Sequence, residues 1–229
     1  MTILKTKEAL RNAILKEELN NETINNYDYS LIKDFTHLFK DCITLKNIPN
    51  LDTSHVVNMY GMFMNCNNLQ EVPFMDTSNV LDVSYMFMNC DNLHKIPLFD
   101  FSNAISMEGT FSGCKNLIDI PPLNTKNVIS MESCFANCTN LENIPLFDTS
   151  KVENMESMLS CCSSLVSLPN FCYDNVLTTK DMCFACSSLI DIPQFELPIV
   201  ENTDRMFKHC NSLVALLGEE KVVVKKLNN

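Results

Sequence analysis

The chain has no tryptophan, and only four glycines and four histidines in 229 residues. It contains no P-loop, no G-x-G-x-x-G and no H-E-x-x-H, so it lacks the backbone cradles and ligand pairs of nucleotide and zinc enzymes. Basic residues are scarce: 17 Lys and Arg stand against 28 Asp and Glu, a formal charge of −11. Residues 1–31 carry four basic and five acidic side chains, and residues 218–229 carry three and two, so residues 32–217 hold the whole −11. Such a surface repels phosphate backbones and anionic membranes, and no nucleic-acid partner is expected. No window approaches 18 apolar residues, so no membrane insertion is expected. The start, "MTILKTKEALRNAILKEELN", is broken by Glu8, Arg11, Lys16, Glu17 and Glu18 and does not read as a secretory signal. A cytoplasmic protein with reduced cysteines is therefore expected, or a surface or secreted one if a signal has been removed.

What is abundant is repetition. Cys42, Cys66, Cys90, Cys114, Cys138, Cys162, Cys186 and Cys210 stand 24 residues apart. A leucine follows three residues after each, from Leu45 to Leu213, and Ile, Val or Leu follows six after. Proline comes seven after in the first seven units, Pro49 to Pro193, and Leu217 replaces it in the eighth. An unbroken period without insertions implies identical turns stacked in register. Before each cysteine the spacing is helical: Met59, Met62, Phe63 and Cys66 stand at i, i+3, i+4 and i+7. After it, "NLxxIP" is too short for a helix and suits a parallel strand of two to four residues. "DTS" at 52–54, 76–78 and 148–150 suits a turn leading into an N-cap.

These units, among them "FDTSKVENMESMLSCCSSLVSLP", resemble the BspA-like leucine-rich repeat family in its Met-Phe-Cys variant. The lead-in "LKTKEALRNAIL" is similar to the helix that often precedes such arrays. The resemblance implies an α/β repeat solenoid, right-handed and leucine-rich-repeat-like. Short parallel strands would line one face and short helices the other. Family members are often surface or secreted binding proteins. The expected organisation is a capping helix and lead-in over 1–31, eight repeats over 32–217, and a capping turn and strand over 218–229.

The sulfur-rich strip is expected to be core. Met62 shares its column with Leu38, Thr110 and Cys134, and positions that interchange Met, Leu and Thr pack rather than coordinate. Of the off-column cysteines, Cys134 and Cys183 take core columns, and Cys161 and Cys172 are expected to be partly exposed. The aspartates Asp52, Asp76, Asp100 and Asp148 form one column, but a single acid per unit with almost no glycine points to turn capping, not calcium. His37, His55, His94 and His209 occupy four different places in the unit, so stacking does not assemble a catalytic group. No metal, cofactor or enzymatic activity is expected.

Two columns do not preserve chemistry. Five after the cysteine stand Glu71, Lys95, Asp119, Asn143 and Asp191; four after stand Ile118, Val166 and Ile190. The first group is expected to face outward. The second either faces solvent as an apolar stripe or joins the core, since LxxI spacing leaves its direction open. Together they form the candidate partner-binding face of a non-enzymatic protein-recognition module, expected to be a monomer. Alternatives are a secreted or surface adhesin, and an acidic inhibitor or nucleic-acid mimic of a basic host protein.

Overall fold

The computed structural model describes residues 1–194 and 196–217. In the second unit Met59, Met62, Phe63 and Cys66 are all fully buried, as their spacing requires, yet the segment is not a helix. Gly61 has φ 55° and Asn65 φ 62°. The same two positions, five before and one before the column cysteine, have positive φ in all eight units, from His37 and Asp41 to Arg205 and His209. A left-handed residue every fourth position ends a right-handed helix before it completes a turn. The result is a run of tight turns: Met62, Met64 and Cys66 donate to the carbonyls of Met59, Gly61 and Phe63 at 3.0–3.1 Å. Positive φ at the third residue of a four-residue turn is what a type II turn requires. The short helices expected on one face are therefore replaced by turns, and the described array has no helix between Asn26 and Asn211.

The alternate N–H groups point along the stack. Gly61, Phe63 and Asn65 donate to Ser84, Met86 and Met88 of the next unit at 2.8 Å. Each 24-residue unit is thus one coil of a solenoid, numbered 1 to 8 by its column cysteine. Parallel pairing occurs as isolated bridges eight before each cysteine, from Asp34↔Asn58 to Thr178↔Asn202. At that position a side-chain oxygen also accepts from the backbone two residues on, as Asn58 Oδ1 does from Tyr60 N at 2.9 Å. The strand expected at "NLxxIP" is reduced to a few scattered axial bonds between neighbouring coils, such as Gln70 N to Lys46 O, Asn92 N to Asn67 O and His94 N to Gln70 O, each at 3.2 Å, and to one bridge, Ser167↔Asp191. Proline seven after the cysteine removes the next donor, and a ladder cannot extend through it.

The inward columns make one continuous core. Phe39, Phe63, Phe87, Phe111 and Phe135 stack ring on ring, with centroids 5.3–5.6 Å apart. All eight column cysteines are buried. From Cys66 onward each thiol donates to the carbonyl 27 residues earlier at 3.0–3.2 Å, as Cys90 does to Phe63. Buried threonines bond likewise: Thr53, Thr77, Thr125 and Thr149 donate to the next coil's carbonyl at 2.8–3.0 Å.

The first coil has no predecessor. A short parallel pair, β1 (Thr2–Ile3) and β2 (Tyr27–Asp28), brings the N-terminus across it. Helix α1 (Lys7–Leu15), N-capped by the Thr6 hydroxyl, buries Leu10, Ala13 and Ile14 there. Lys7 Nζ donates to the Thr36 carbonyl at 3.0 Å, and Arg11 to the Lys40 carbonyl and the Cys42 sulfur at 3.3 and 3.2 Å. The cations fill axial acceptors that a preceding coil would otherwise bond. At the other end "NSLVALL" forms α2 (Asn211–Leu217) in place of the extended "NLxxIP" segment. No proline stops it, and leucine and alanine favour helix. The closing turn and strand expected over 218–229 lie outside the described residues. Among the described residues no helix is long and apolar enough to cross a membrane.

Candidate recognition surface

The extended segment after each cysteine exposes the columns that the repeat leaves free. Leucine three after and the aliphatic six after turn inward, while positions four, five and eight after turn outward. Glu71, Lys95, Asp119, Asn143 and Asp191 are all exposed. Ile118, Val166 and Ile190 also face solvent, which resolves their direction. They do not form one stripe, because exposed Glu142 separates Ile118 from Val166. Val214, which continues the column in sequence, lies in α2.

A longer apolar row stands beside them. Eight after the cysteine come Phe74, Leu98, Pro122 and Leu146, one per coil in coils 2 to 5. Phe74 is 68% exposed, Leu98 57% and Leu146 61%. Their chain neighbours Met75, Phe99, Leu123 and Phe147 are buried. Sequence reasoning passed over this row, although a signal was present: in "PFM", "PLF", "PPL" and "PLF" two apolar residues follow proline, and in extended chain only one can face inward. Asn50, Asn170 and Gln194 bound the row at its two ends.

The surface around the row is polar and structured. Asn68, Asn92, Asn116 and Asn140 form a side-chain ladder, each amide donating to the one before at 3.2–3.4 Å. With Gln70, His94 and Ile118, three of these asparagines line a shallow depression. Acidic groups flank the row. Glu71 and Asp119 lie on one side of it in sequence, Asp76, Asp100 and Asp148 on the other. In each of these last three, one carboxylate oxygen accepts from the backbone N–H two residues on at 2.9–3.1 Å; Ser78 and Ser150 add their hydroxyls at 2.6 and 2.7 Å. The serine bonds hold Asp76 and Asp148 below the usual carboxylate range. These aspartates close turns, and their second oxygens remain available to a cation on a partner.

Little else converges. His37 meets the edge of Tyr60 and His55 lies by Tyr29 and Phe35, on separate ring neighbours, while His209 lies by Phe184 at the other end of the array. Among the described residues no group of three or more His, Cys, Asp or Glu is placed to hold a metal. Burial pushes the Cys66 and Cys138 thiols up to about 12, which keeps them protonated and weakly nucleophilic. Cys161 and Cys172 are half-buried.

A family model described as "Mycoplasma protein of unknown function, DUF285" matches residues 7–120 and 106–219. Among solved structures, a leucine-rich repeat protein from Bacteroides ovatus ATCC 8483 is similar over 73% of this chain and 73% of its own, at 16% identity and a TM-score of 0.26. At that score the likeness carries no argument. No curated protein matches the chain.

Proposed function

We propose, for a chain that belongs to the DUF285 family, that it is a non-enzymatic protein-recognition module of the leucine-rich-repeat type. The single observation behind this reading is the row Phe74, Leu98, Pro122 and Leu146. Four apolar side chains stand on successive coils, three of them more than half exposed, beside columns that the repeat leaves polar. Contiguous exposed apolar surface rimmed by polar groups is characteristic of binding sites. The rim here is largely acidic, so the partner presents apolar side chains interspersed with basic ones. Glu71, Asp119 and Asp191 then supply charge, Asn143 supplies amide hydrogen bonds, and Lys95 selects against a uniformly cationic partner. The reading includes a reducing compartment, supported by thiols that already donate to carbonyls and would lose those bonds on oxidation.

The test compares proteins retained from the native organism's lysate by the wild type and by a Phe74→Ser, Leu98→Ser, Leu146→Ser variant. These side chains are exposed, so the variant should melt as the wild type does. A partner held by the wild type and lost from the variant supports the reading. A partner held equally by both places recognition elsewhere and contradicts it. High salt should weaken the complex in the wild type, because the rim charges are screened.

A further inference from the structure

A second outward column lies nine residues before each cysteine. Over coils 1 to 6 it reads Lys33, Val57, Leu81, Ile105, Ile129, Glu153. The four aliphatics are 39%, 54%, 50% and 38% exposed. Their backbones form an unbroken axial chain: each N–H, from Val57 to Glu153, donates to the carbonyl one coil back at 2.8–3.0 Å. At about 4.8 Å per coil the row runs roughly 24 Å, with a cation at one end and an anion at the other. Both end residues are exposed, and neither makes an ion pair among the described residues.

Such a row is complementary to itself turned end for end. An axis midway between coils 3 and 4, lying in the face, sets coil 1 against coil 6, coil 2 against coil 5 and coil 3 against coil 4. Lys33 then meets the second copy's Glu153, Val57 meets Ile129, and Leu81 meets Ile105, each pair occurring twice as a two-fold contact requires. A shift of one coil sets Glu153 against Val57, and a same-direction arrangement sets Lys33 on Lys33. The neighbouring column, six before the cysteine, carries Glu108, Glu132 and Glu156 in succession. The same axis places them against Ser84, Tyr60 and Thr36, so no acid faces an acid. We propose that this face joins two copies of the chain, antiparallel, in the register that pairs Lys33 with Glu153. This departs from the monomer expected from sequence, because the aliphatics beside the buried valines at 56, 80 and 128 and Ala104 turn out to face water. It does not rest on the recognition reading, which uses another column.

Four side chains per copy make a small interface, so the dimer should form with a Kd on the order of 10 µM. Sedimentation velocity of the full chain, from about 1 µM to about 500 µM, reads it directly. The wild type should pass from monomer to dimer over that range, and Leu81→Glu should stay monomeric with an unchanged melting temperature. Lys33→Glu alone and Glu153→Lys alone should each weaken the dimer about tenfold or more, since each makes two like-charge contacts. An equimolar mixture of those two variants should dimerise again, because every contact in the mixed dimer is then opposite in sign; the double variant should do so too. A wild type monomeric throughout, a dimer indifferent to Leu81→Glu, or a mixture that fails to recover would each overturn the proposal.

Discussion

Coils 2 to 5 and coils 6 to 8 follow one repeat but are built differently. In coils 2 to 5 the position three before the cysteine is always phenylalanine, and the rings stack continuously with Phe39 of coil 1. In coils 6 and 7 it is Leu159 and Cys183, so the stack leaves this column at Phe135 and continues only through Phe147 to Phe171. Left-handed positions in coils 2 to 5 include three glycines and three asparagines; those in coils 6 to 8 include Cys161, Ala185 and Arg205 and no glycine. Coil 7 also buries the Thr179 hydroxyl and one Asp181 oxygen without a partner among the described residues. The half with the phenylalanine column is the one that presents the longer apolar rows: Phe74, Leu98, Pro122 and Leu146 on one face, Val57, Leu81, Ile105 and Ile129 on another. The later coils offer only the pair Val166 and Ile190 in one column and, in another, Leu177 alone between Glu153 and Glu201. A rigid platform lowers the ordering cost of binding, so the contrast in packing supports the placement of both surfaces.

The sharpest way to break this contrast is to truncate the same column in each half. Phe87, fully buried between Phe63 and Phe111 and beside Phe99, should cost about 3–5 kcal/mol as Phe87→Ala. Cys183→Ala, at the same column in coil 7, should cost about 1 kcal/mol or less. Equal shifts in urea midpoint would show that the stack contributes nothing special.

Backbone strain provides the next comparison. Gly109 has φ 55°, and a Cβ there would lie 2.6 Å from the Tyr85 ring. Gly109→Val should destabilise by about 2–3 kcal/mol. Thr179→Val should stabilise by about 1 kcal/mol, because it removes a buried hydroxyl that has no partner while keeping its shape. Ala185 has φ 59°, and Ala185→Gly should gain roughly 0.5 kcal/mol, a relief partly offset by chain entropy. Thermal melts of the two coil-7 variants should both rise; a fall in both would mean that the later coils are not the strained ones.

The inward columns and the period were legible from cysteine, leucine and proline alone, because burial in a register stack repeats at fixed offsets. The helices were not, because i, i+3, i+4, i+7 burial is met equally by two consecutive tight turns. Glycine and asparagine at Gly61, Asn65, Asn89, Gly109, Gly113 and Asn137 carried the distinguishing signal, but His37, Tyr85 and Arg205 at the same positions obscure it. The face with Glu71, Lys95, Asp119, Asn143 and Asp191 was readable as outward, since its chemistry varies. The apolar row beside it went unread, because Phe74 and Leu98 adjoin true core residues and composition does not say which of two neighbours turns in.

The smallest expected effect is on pH. Hydrogen bonds from Ser54, Ser78 and Ser150 hold Asp52, Asp76 and Asp148 below the ordinary carboxylate value. A depressed folded value means that their contribution is complete above the unfolded pKa, about 3.9, and is lost as pH falls through the lower folded values. Coil 6 has Cys172 in that place and so has no such carboxylate. Asp76→Asn should flatten the acid limb of the stability curve slightly, whereas Cys172→Ala should leave it unchanged.

Hydrogen exchange on the full chain, read by mass spectrometry, tests most directly whether coils 2 to 5 form the rigid platform. Gly61, Phe63 and Asn65 and their equivalents donate along the axis, so their amides report the stacking itself. Peptides from residues 58–137 should exchange together and only through global unfolding, and peptides from 154–209 should exchange earlier, through partial opening of the later coils. Equal protection in the two halves, or earlier exchange in 58–137, would contradict the account.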